Sequence, residues 1–168
     1  MEENLESKFL DQLNANIGIA HKVCNLYLDE QEEKADLLQE MFYQLWKSYP
    51  SFGARSKFST WMYTVCLNTA ITFFKKNQKS KKESISYFQN DAEIDSKDDY
   101  EEKLETLYIL VENLTPINKS IILLYIEGFK NDEISEVTGL SKTNISVRLV
   151  RIKEELKKIR STLNIKNY

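Results

Sequence analysis

The sequence is poor in the residues that build turns. It has only 4 glycines and 2 prolines in 168 residues, whereas a β-sandwich or β-barrel needs turn residues about every 8–12 positions. Apolar residues make up 42% of the chain and charged residues 29%, so it can bury a core and is not compositionally disordered. These figures exclude a turn-rich β architecture and predict an all-α protein. The length suits one domain or two small ones.

Residues that bind metals or act as nucleophiles are also scarce. There is one histidine, His21, and the two cysteines, Cys24 and Cys66, lie within apolar helical patterns. The sequence therefore has too few of these residues for a metal site or a Cys–His nucleophile. We expect no cofactor and no metal site. No run of 18 apolar residues occurs and the N-terminal stretch MEENLESKFL is acidic. We therefore expect a cytoplasmic protein with no secretory signal and no direct membrane insertion.

Charge is segregated along the chain, although the net charge is only −3. Residues 51–90 carry seven basic side chains against one acidic, and residues 141–168 carry eight against two. Acidic side chains dominate the segments before and between them. Two basic segments on a chain that otherwise repels polyanions indicate two surfaces that face nucleic acid. The alternative is that each segment is only a solvated helix face.

Apolar residues recur at helical spacing in two groups separated by a polar stretch. In the first group the spacing predicts helices over residues 9–28 and 35–49, and a third helix that Ser59 caps and that ends near Lys76. The polar stretch has no sustained apolar period. The predicted organisation is a helical domain at residues 1–76, a flexible charged linker at 77–99 and a second helical domain at 100–168.

The second domain carries the pattern of a helix-turn-helix. A short helix at residues 131–138, Gly139 in the turn and Ser141 as N-cap precede a long helix, in which Ile145 begins a buried stripe. The other side of the long helix carries two valines beside polar and basic residues. A helix that enters the major groove uses valine against a thymine methyl, and Arg or Asn against base edges and phosphates. The alternative is that the valines pack on another helix.

Aromatic and basic residues interleave between the second and third predicted helices. Arg55 and Lys57 lie among five aromatic residues, which suits single-stranded nucleic acid because bases stack on rings while cations follow the backbone. The alternative for each ring is a core position, which we expect for Trp46 and Phe52.

Two segments resemble bacterial RNA polymerase sigma factors. Residues 35–76 (ADLLQEMFYQLWKSYPSFGARSKFSTWMYTVCLNTAITFFKK) are similar to conserved region 2 of the small extracytoplasmic-function (ECF) group, and residues 110–158 resemble region 4. The resemblance implies a factor without catalytic activity that binds core RNA polymerase at the β′ clamp helices and the β flap. It also implies that the factor directs promoter recognition and transcription initiation. A further implied partner is an anti-sigma factor.

The resemblance assigns roles by position. The helix that docks on the β′ clamp matches Asp36, Leu37, Gln39, Glu40, Phe42, Leu45 and Trp46. The residues of this predicted helix make its outer face acidic, and we expect Leu37 and Tyr43 to point outward on that face. Residues that melt and capture the −10 element match Ser56, Phe58, Ser59, Trp61, Tyr63, Asn68, Lys75 and Lys76. The −35 recognition helix matches Thr143, Asn144, Ser146, Val147, Arg148, Val150 and Arg151.

Some positions depart from the family pattern, and two other classes of protein compete with it. Thr72, Ser146 and Val147 differ from the residues that many relatives carry. The resemblance therefore does not indicate which promoter sequence the protein prefers. A stand-alone transcriptional regulator would need a sensor or a dimerisation domain, and the apolar stripe over residues 145–163 is a candidate for dimerisation. A nucleic-acid enzyme is disfavoured, because no Asp, Glu or His cluster has metal-ligand spacing.

Overall fold

The computed structural model describes residues 2–81 and 109–162, and helices account for most of both ranges. The helices are α1 (Glu2–Asn16), α2 (Gly18–Tyr27), α3 (Gln31–Ser48), α4 (Phe58–Lys81), α5 (Pro116–Ile126), α6 (Asn131–Thr138) and α7 (Lys142–Thr162). A 3-10 turn (Tyr49–Ser51) follows α3, and residues 109–112 are helical ahead of α5. These ranges contain no strand, which agrees with the all-α prediction.

Helices α2, α3 and α4 form the core of the N-terminal domain. Helix α4 packs against both α2 and α3, which also contact each other. The three helices bury these side chains almost completely: Val23, Cys24, Leu37, Met41, Leu45, Met62, Cys66 and Ala70. Helix α1 adds Phe9 and Leu13 to this cluster. Each large apolar side chain buried here contributes about 1.5–3 kcal/mol relative to an exposed one.

Two predicted helix boundaries in this domain are wrong. The single helix expected over residues 9–28 is divided at Ile17, with α1 ending at Asn16 and α2 beginning at Gly18. The apolar spacing continues through the break, so periodicity could not reveal it. Ser59 does not cap the third helix, because α4 begins one residue earlier at Phe58.

The predicted linker begins inside a helix. Residues 77–81 were expected to start the linker, but they continue α4. Lysine and glutamine are good helix formers, so the absence of apolar residues in this stretch does not end the helix. The rest of the predicted linker, residues 82–99, lies outside the described residues.

Helices α5, α6 and α7 form the C-terminal domain. Pro116 occupies the first turn of α5, a position that suits proline, and the Thr115 hydroxyl accepts a hydrogen bond from the Asn118 N–H at 3.4 Å. The three helices contact one another. They enclose a core made of Ile121, Leu124, Ile134, Val137, Ile145, Leu149 and Ile152, to which Val111 and Leu114 add from the preceding segment.

The turn between α6 and α7 has the geometry that the sequence predicts. Gly139 ends α6 with φ +73°, in the left-handed region that favours glycine. The Ser141 hydroxyl then accepts a hydrogen bond from the Asn144 N–H at 3.2 Å, which caps α7. The turn thus directs the buried side of α7, beginning at Ile145, onto α5 and α6.

Candidate polymerase and promoter interfaces

Helix α7 presents a mixed face of polar, basic and valine side chains to solvent. Val147 and Val150 are 45% and 59% exposed, so they do not pack on another helix as the alternative required. Most of the predicted −35 residues share this exposure: Thr143, Asn144, Ser146, Val147, Val150 and Arg151. A surface that combines methyl groups with hydrogen-bond donors and acceptors can contact base edges in the major groove.

Arg148 differs from its neighbours because two amide side chains hold it. Its Nε donates to Asn144 Oδ1 at 2.8 Å and its Nη1 donates to Asn118 Oδ1 at 2.9 Å. The Asn131 amide similarly donates to the Ser146 hydroxyl at 2.9 Å. Sequence reasoning missed Asn118 and Asn131, because they belong to α5 and α6 and no local pattern connects them with α7.

The exposed side of α3 is acidic and partly apolar. Asp36, Gln39 and Glu40 are exposed, and Tyr43 is 55% exposed with Lys47 Nζ 5.7 Å from its ring centroid. Leu37 does not point outward as expected. It belongs with Met41 and Leu45 to the stripe that faces α2 and α4, and all three are fully buried.

The end of α3 also differs from the prediction at Trp46. We expected a core residue, but Trp46 is 44% exposed, and its ring lies 5.1 Å from that of Phe9 on α1. Phe42, like Phe52, is partly buried against the core. Trp46 is therefore available to a partner at the edge of the acidic face.

A cluster of aromatic rings fixes the loop between α3 and α4. The Phe52 ring lies 4.9 Å from that of Trp61 and 5.8 Å from that of Phe58. Phe58 is buried in this cluster, so it supports the loop rather than facing solvent. Gly53 and Ala54 both have positive φ angles, and the turn leaves the following residues 55–57 exposed.

Most of the other predicted −10 residues are accessible on the loop and α4. Ser59 and Trp61 are half-buried, and the exposed ones are Ser56, Asn68, Lys75 and Lys76. Asn68 and Lys76 line a groove of about 540 Å³ between α3 and α4, opposite Glu40 and Gln44. This groove joins the predicted polymerase-binding and −10 surfaces.

Tyr63 is the exception on α4, because the C-terminal domain covers it. It is 3% exposed and its ring meets that of Phe129 edge-on, with centroids 5.3 Å apart. Burial raises the pKa of Tyr63, and the charge and hydrogen bond of Glu127 raise it further. The sequence held no signal for this contact, which joins residues from different domains.

The described residues form neither a metal-binding cluster nor a membrane-spanning helix. Across residues 2–81 and 109–162, no group of three His, Cys, Asp or Glu side chains is placed to hold a metal ion. In the same ranges no helix is both long and apolar enough to cross a bilayer.

Two family profiles match separate parts of the chain. The family profile described as "Sigma-70 region 2" matches residues 13–80, and "Sigma-70, region 4" matches residues 104–156. The chain is 28% identical over 135 residues to RNA polymerase sigma factor SigV of Bacillus subtilis (strain 168), covering 78% of each chain. It is 24% identical over 166 residues to ECF RNA polymerase sigma factor SigW of the same organism, covering 91% of this chain and 89% of SigW.

A solved structure shows the same fold. The sigma factor RpoE from Bartonella quintana, crystallised with the anti-sigma factor NepR, superposes with a TM-score of 0.74 at 17% identity. The superposition covers 95% of this chain and 99% of that one. With the two profile matches, the chain belongs to the sigma-70 family of RNA polymerase sigma factors. Within that family it is an ECF sigma factor: it binds core RNA polymerase and directs promoter recognition and transcription initiation.

Proposed function

We propose that the exposed side of α3 docks on the β′ clamp helices of core polymerase. Asp36, Gln39 and Glu40 would supply polar and charged contacts, and Phe42 and Trp46 the apolar ones. The support is that the polar residues and Trp46 are exposed along one helix, with Phe42 partly buried beside them. Carboxylates beside accessible rings are typical of helix-docking surfaces. Leu37 and Leu45 act indirectly by packing this helix onto the core. The β flap would contact the C-terminal domain.

The exposed side of α4 and its preceding loop engages the −10 element. Trp61 offers a ring on which a base can stack, and Ser56, Ser59 and Asn68 offer hydrogen-bonding groups. Lys75 and Lys76 follow the phosphates at the exposed end of the groove. Phe58 holds the loop through the aromatic cluster, and Tyr63 joins the surface only when the C-terminal domain leaves it.

The −35 element is read by α7, and the single observation that carries this proposal is the exposure of its valine-containing face. A helix face that only meets water seldom keeps two valines. Thr143, Asn144 and Ser146 lie near the N-terminus of α7, where a helix-turn-helix contacts base edges. Arg148, Val150 and Arg151 extend the contact along the groove.

The protein works in the cytoplasm without covalent chemistry of its own. Its contribution is to hold polymerase at a promoter, so the chemistry of RNA synthesis stays with the core enzyme. An anti-sigma factor is a further partner in this proposal. The support is that RpoE from Bartonella quintana, which shares the fold, was crystallised with the anti-sigma factor NepR.

The experiment that tests these assignments is transcription in vitro on a library of genomic fragments. Core polymerase alone should give background transcripts, and adding this protein should produce a defined set of start sites that share two upstream elements. A matched variant, Val147→Asp with Val150→Asp, should lose that set and keep its helical content. Tight binding to one operator without polymerase would instead identify a stand-alone regulator and overturn the proposal.

A further inference from the structure

Arg148 and two asparagines form a cluster at the side of α7. Arg148 Nε donates to Asn144 Oδ1, one turn earlier on the same helix, and Arg148 Nη1 donates to Asn118 Oδ1 on α5. We call these three residues the Arg148 cluster. Arg148 and Asn118 are half-buried and Asn144 is exposed, so the cluster is held in place and is still accessible to a ligand.

The chemistry of the three side chains fixes which of their groups remain available. A guanidinium has five N–H donors and no acceptor, so each asparagine must turn its oxygen towards Arg148 and keep its NH2 group for another partner. Within residues 2–81 and 109–162, neither the Asn118 nor the Asn144 amide nitrogen makes a hydrogen bond. The cluster therefore presents a positive charge surrounded by hydrogen-bond donors, which suits an anion with several acceptor oxygens.

Two parts of a DNA duplex offer only acceptors to such a cluster, namely a backbone phosphate and the O6 and N7 atoms of guanine. The position of Arg148 on α7 distinguishes between them. At 3.6 residues per turn, Arg148 lies about 100° round the helix from Val147 and about 160° from Val150. A helix with its side chains is about 10–12 Å wide and the major groove about 12 Å. When the valines face the bases, Arg148 therefore faces the wall of the groove, where the phosphates lie.

The opposite side of α7 has a different arrangement. Ser146 lies about 160° round the helix from Arg148. Its hydroxyl accepts a hydrogen bond from the Asn131 amide at 2.9 Å and donates one to the Lys142 carbonyl at 3.0 Å. This contact between α6 and α7 holds no charged group. The concentration of donors around a cation is thus a property of the Arg148 side and not of every contact that α7 makes with a neighbouring helix.

We propose that the Arg148 cluster binds one phosphate of the −35 element, and that Asn118 is a promoter contact outside the helix-turn-helix. The inference rests on the proposed reading of the −35 element by α7. Arg148 then fixes the register of the helix on the duplex without reading sequence, because phosphate contacts position a protein and base contacts specify the site. Base discrimination is left to the exposed residues on the valine side of α7.

Neutral backbone linkages in promoter DNA test the proposal directly. A methylphosphonate replaces one charged phosphate oxygen by a methyl group and leaves the base unchanged. Holoenzyme containing this protein is bound to promoter fragments from the transcription assay, each with one methylphosphonate in or beside the −35 element. One position should lower the wild-type affinity about tenfold. Arg148→Gln should bind unmodified DNA about tenfold more weakly and be insensitive to that position. If every methylphosphonate lowers the affinities of wild type and Arg148→Gln by the same factor, the cluster binds no phosphate and the proposal is wrong.

An aspartate at position 118 separates a phosphate contact from simple support of Arg148. Asn118→Asp keeps the oxygen that accepts from Arg148, and its negative charge suits the first turn of α5, so the free energy of unfolding should be equal or higher. The change removes the amide donors and repels a phosphate. The affinity for unmodified DNA should fall about tenfold and no longer depend on the sensitive methylphosphonate. Asn14→Asp, at an exposed position of α1, makes the same charge change and should bind as wild type. Wild-type affinity of Asn118→Asp would overturn the proposal.

The salt dependence of promoter binding separates a phosphate contact from base reading by Arg148. Arg148→Gln should weaken all promoters by the same factor and reduce the slope of log affinity against log salt concentration by about 0.9. Arg148→Lys keeps the charge and should keep the slope. A loss confined to one base pair, with the slope unchanged, would assign Arg148 to a base and overturn the proposal.

Failure of the proposed −35 function gives a different result. In that case Val147→Asp with Val150→Asp would bind promoters as wild type does, and no methylphosphonate in the −35 element would change the affinity of any protein. The Arg148 cluster would then have no promoter phosphate to bind. A sensitive methylphosphonate in wild type, together with its loss in Arg148→Gln and Asn118→Asp, supports both the function and the cluster.

Discussion

At the scale of single residues, burial decides what the two cysteines can do. Cys24 and Cys66 lie in the core of the N-terminal domain. Burial raises the pKa of Cys24 to about 11, with Lys34 opposing the shift, and it raises that of Cys66 to about 12, with Cys24 adding to it. Both side chains remain neutral thiols at physiological pH and act as small apolar groups.

Because of these thiols, the free energy of unfolding should decrease at alkaline pH. A thiol whose pKa is higher in the folded state stabilises the fold fully below the unfolded pKa of about 9, and this contribution is lost as the pH rises through the folded value. The free energy of unfolding should therefore fall between pH 9 and pH 11. In urea denaturation, the free energy of unfolding of Cys66→Ala should decline less with rising pH than that of wild type. Equal declines for the two proteins would contradict the raised pKa of Cys66 as a cause. Burial also raises the pKa of Tyr27, which contributes equally to both proteins. The pKa of Tyr63 is raised mainly by burial, with a smaller effect of Cys66, so Cys66→Ala also reduces the pH dependence that comes from Tyr63.

Arg151 is the residue of α7 best placed to report base recognition, because it is exposed whereas Arg148 is held by two asparagines. Arg151→Ala should reduce discrimination at one base pair of the −35 element by about 1–3 kcal/mol if the side chain reaches a base. Transcription from promoters with single substitutions measures this. The control Lys158→Ala, further along α7, should weaken all promoters alike or have no effect. Uniform loss with Arg151→Ala would show a phosphate contact instead.

At the scale of helices, the C-terminal domain was predictable because its signals are local. Pro116 begins α5, Gly139 ends α6 and Ser141 caps α7, and each effect depends on one residue's own backbone or side chain. The exposed valines of α7 followed from helical periodicity alone. The all-α class and the order of the two domains were predictable for the same reason.

The N-terminal domain was harder to predict because several positions are decided by packing between helices. Helical spacing alone allowed Leu37 to point outward and Trp46 inward, but the position of α1 and α4 around α3 reverses both. Phe58 is buried by rings that a loop brings together. Tyr63 is covered by another domain, so no pattern within region 2 could indicate its burial.

Substituting alanine for two glycines at helix ends should change the stability of the protein in opposite directions. Gly139 has φ +73° at the end of α6, so Gly139→Ala should destabilise the protein by about 1 kcal/mol. Gly18 begins α2, and an added Cβ there would meet no atom within 4 Å. Gly18→Ala should therefore be stabilising by about 0.5–1 kcal/mol. Urea denaturation compares both variants with wild type. Destabilisation by Gly18→Ala would show that the break at Ile17 needs glycine.

The acidic face of α3 predicts a specific loss of polymerase binding. Asp36→Arg with Glu40→Arg should abolish capture by core polymerase, because the change reverses charge at the centre of the proposed docking surface. Both residues are exposed, so circular dichroism should be unchanged. Glu6→Arg with Asp11→Arg on α1 makes the same change in net charge and should retain binding. Equal binding by the two double variants would remove the docking assignment.

At the scale of the whole molecule, each domain should bind its promoter element weakly until polymerase holds both domains on the DNA. The net charge is −3 and each domain offers a modest number of phosphate contacts, so the free chain should bind promoter DNA weakly. Polymerase raises the effective concentration of each domain at its element.

The length of chain between the domains should then limit function. Deleting residues 86–97 leaves 15 of the 27 residues between Lys81 and Ile109, which reach at most roughly 55 Å. Because the −10 and −35 elements are about 25 base pairs apart, or roughly 85 Å at 3.4 Å per base pair, the shortened chain should lose transcription from two-element promoters. Replacing the same 12 residues by a Gly-Ser repeat restores the reach and should restore transcription, which run-off assays would measure. Full activity of the deletion variant would show that the domains bind closer together than the elements require. Inactivity of the Gly-Ser variant would assign a role to the side chains of residues 86–97.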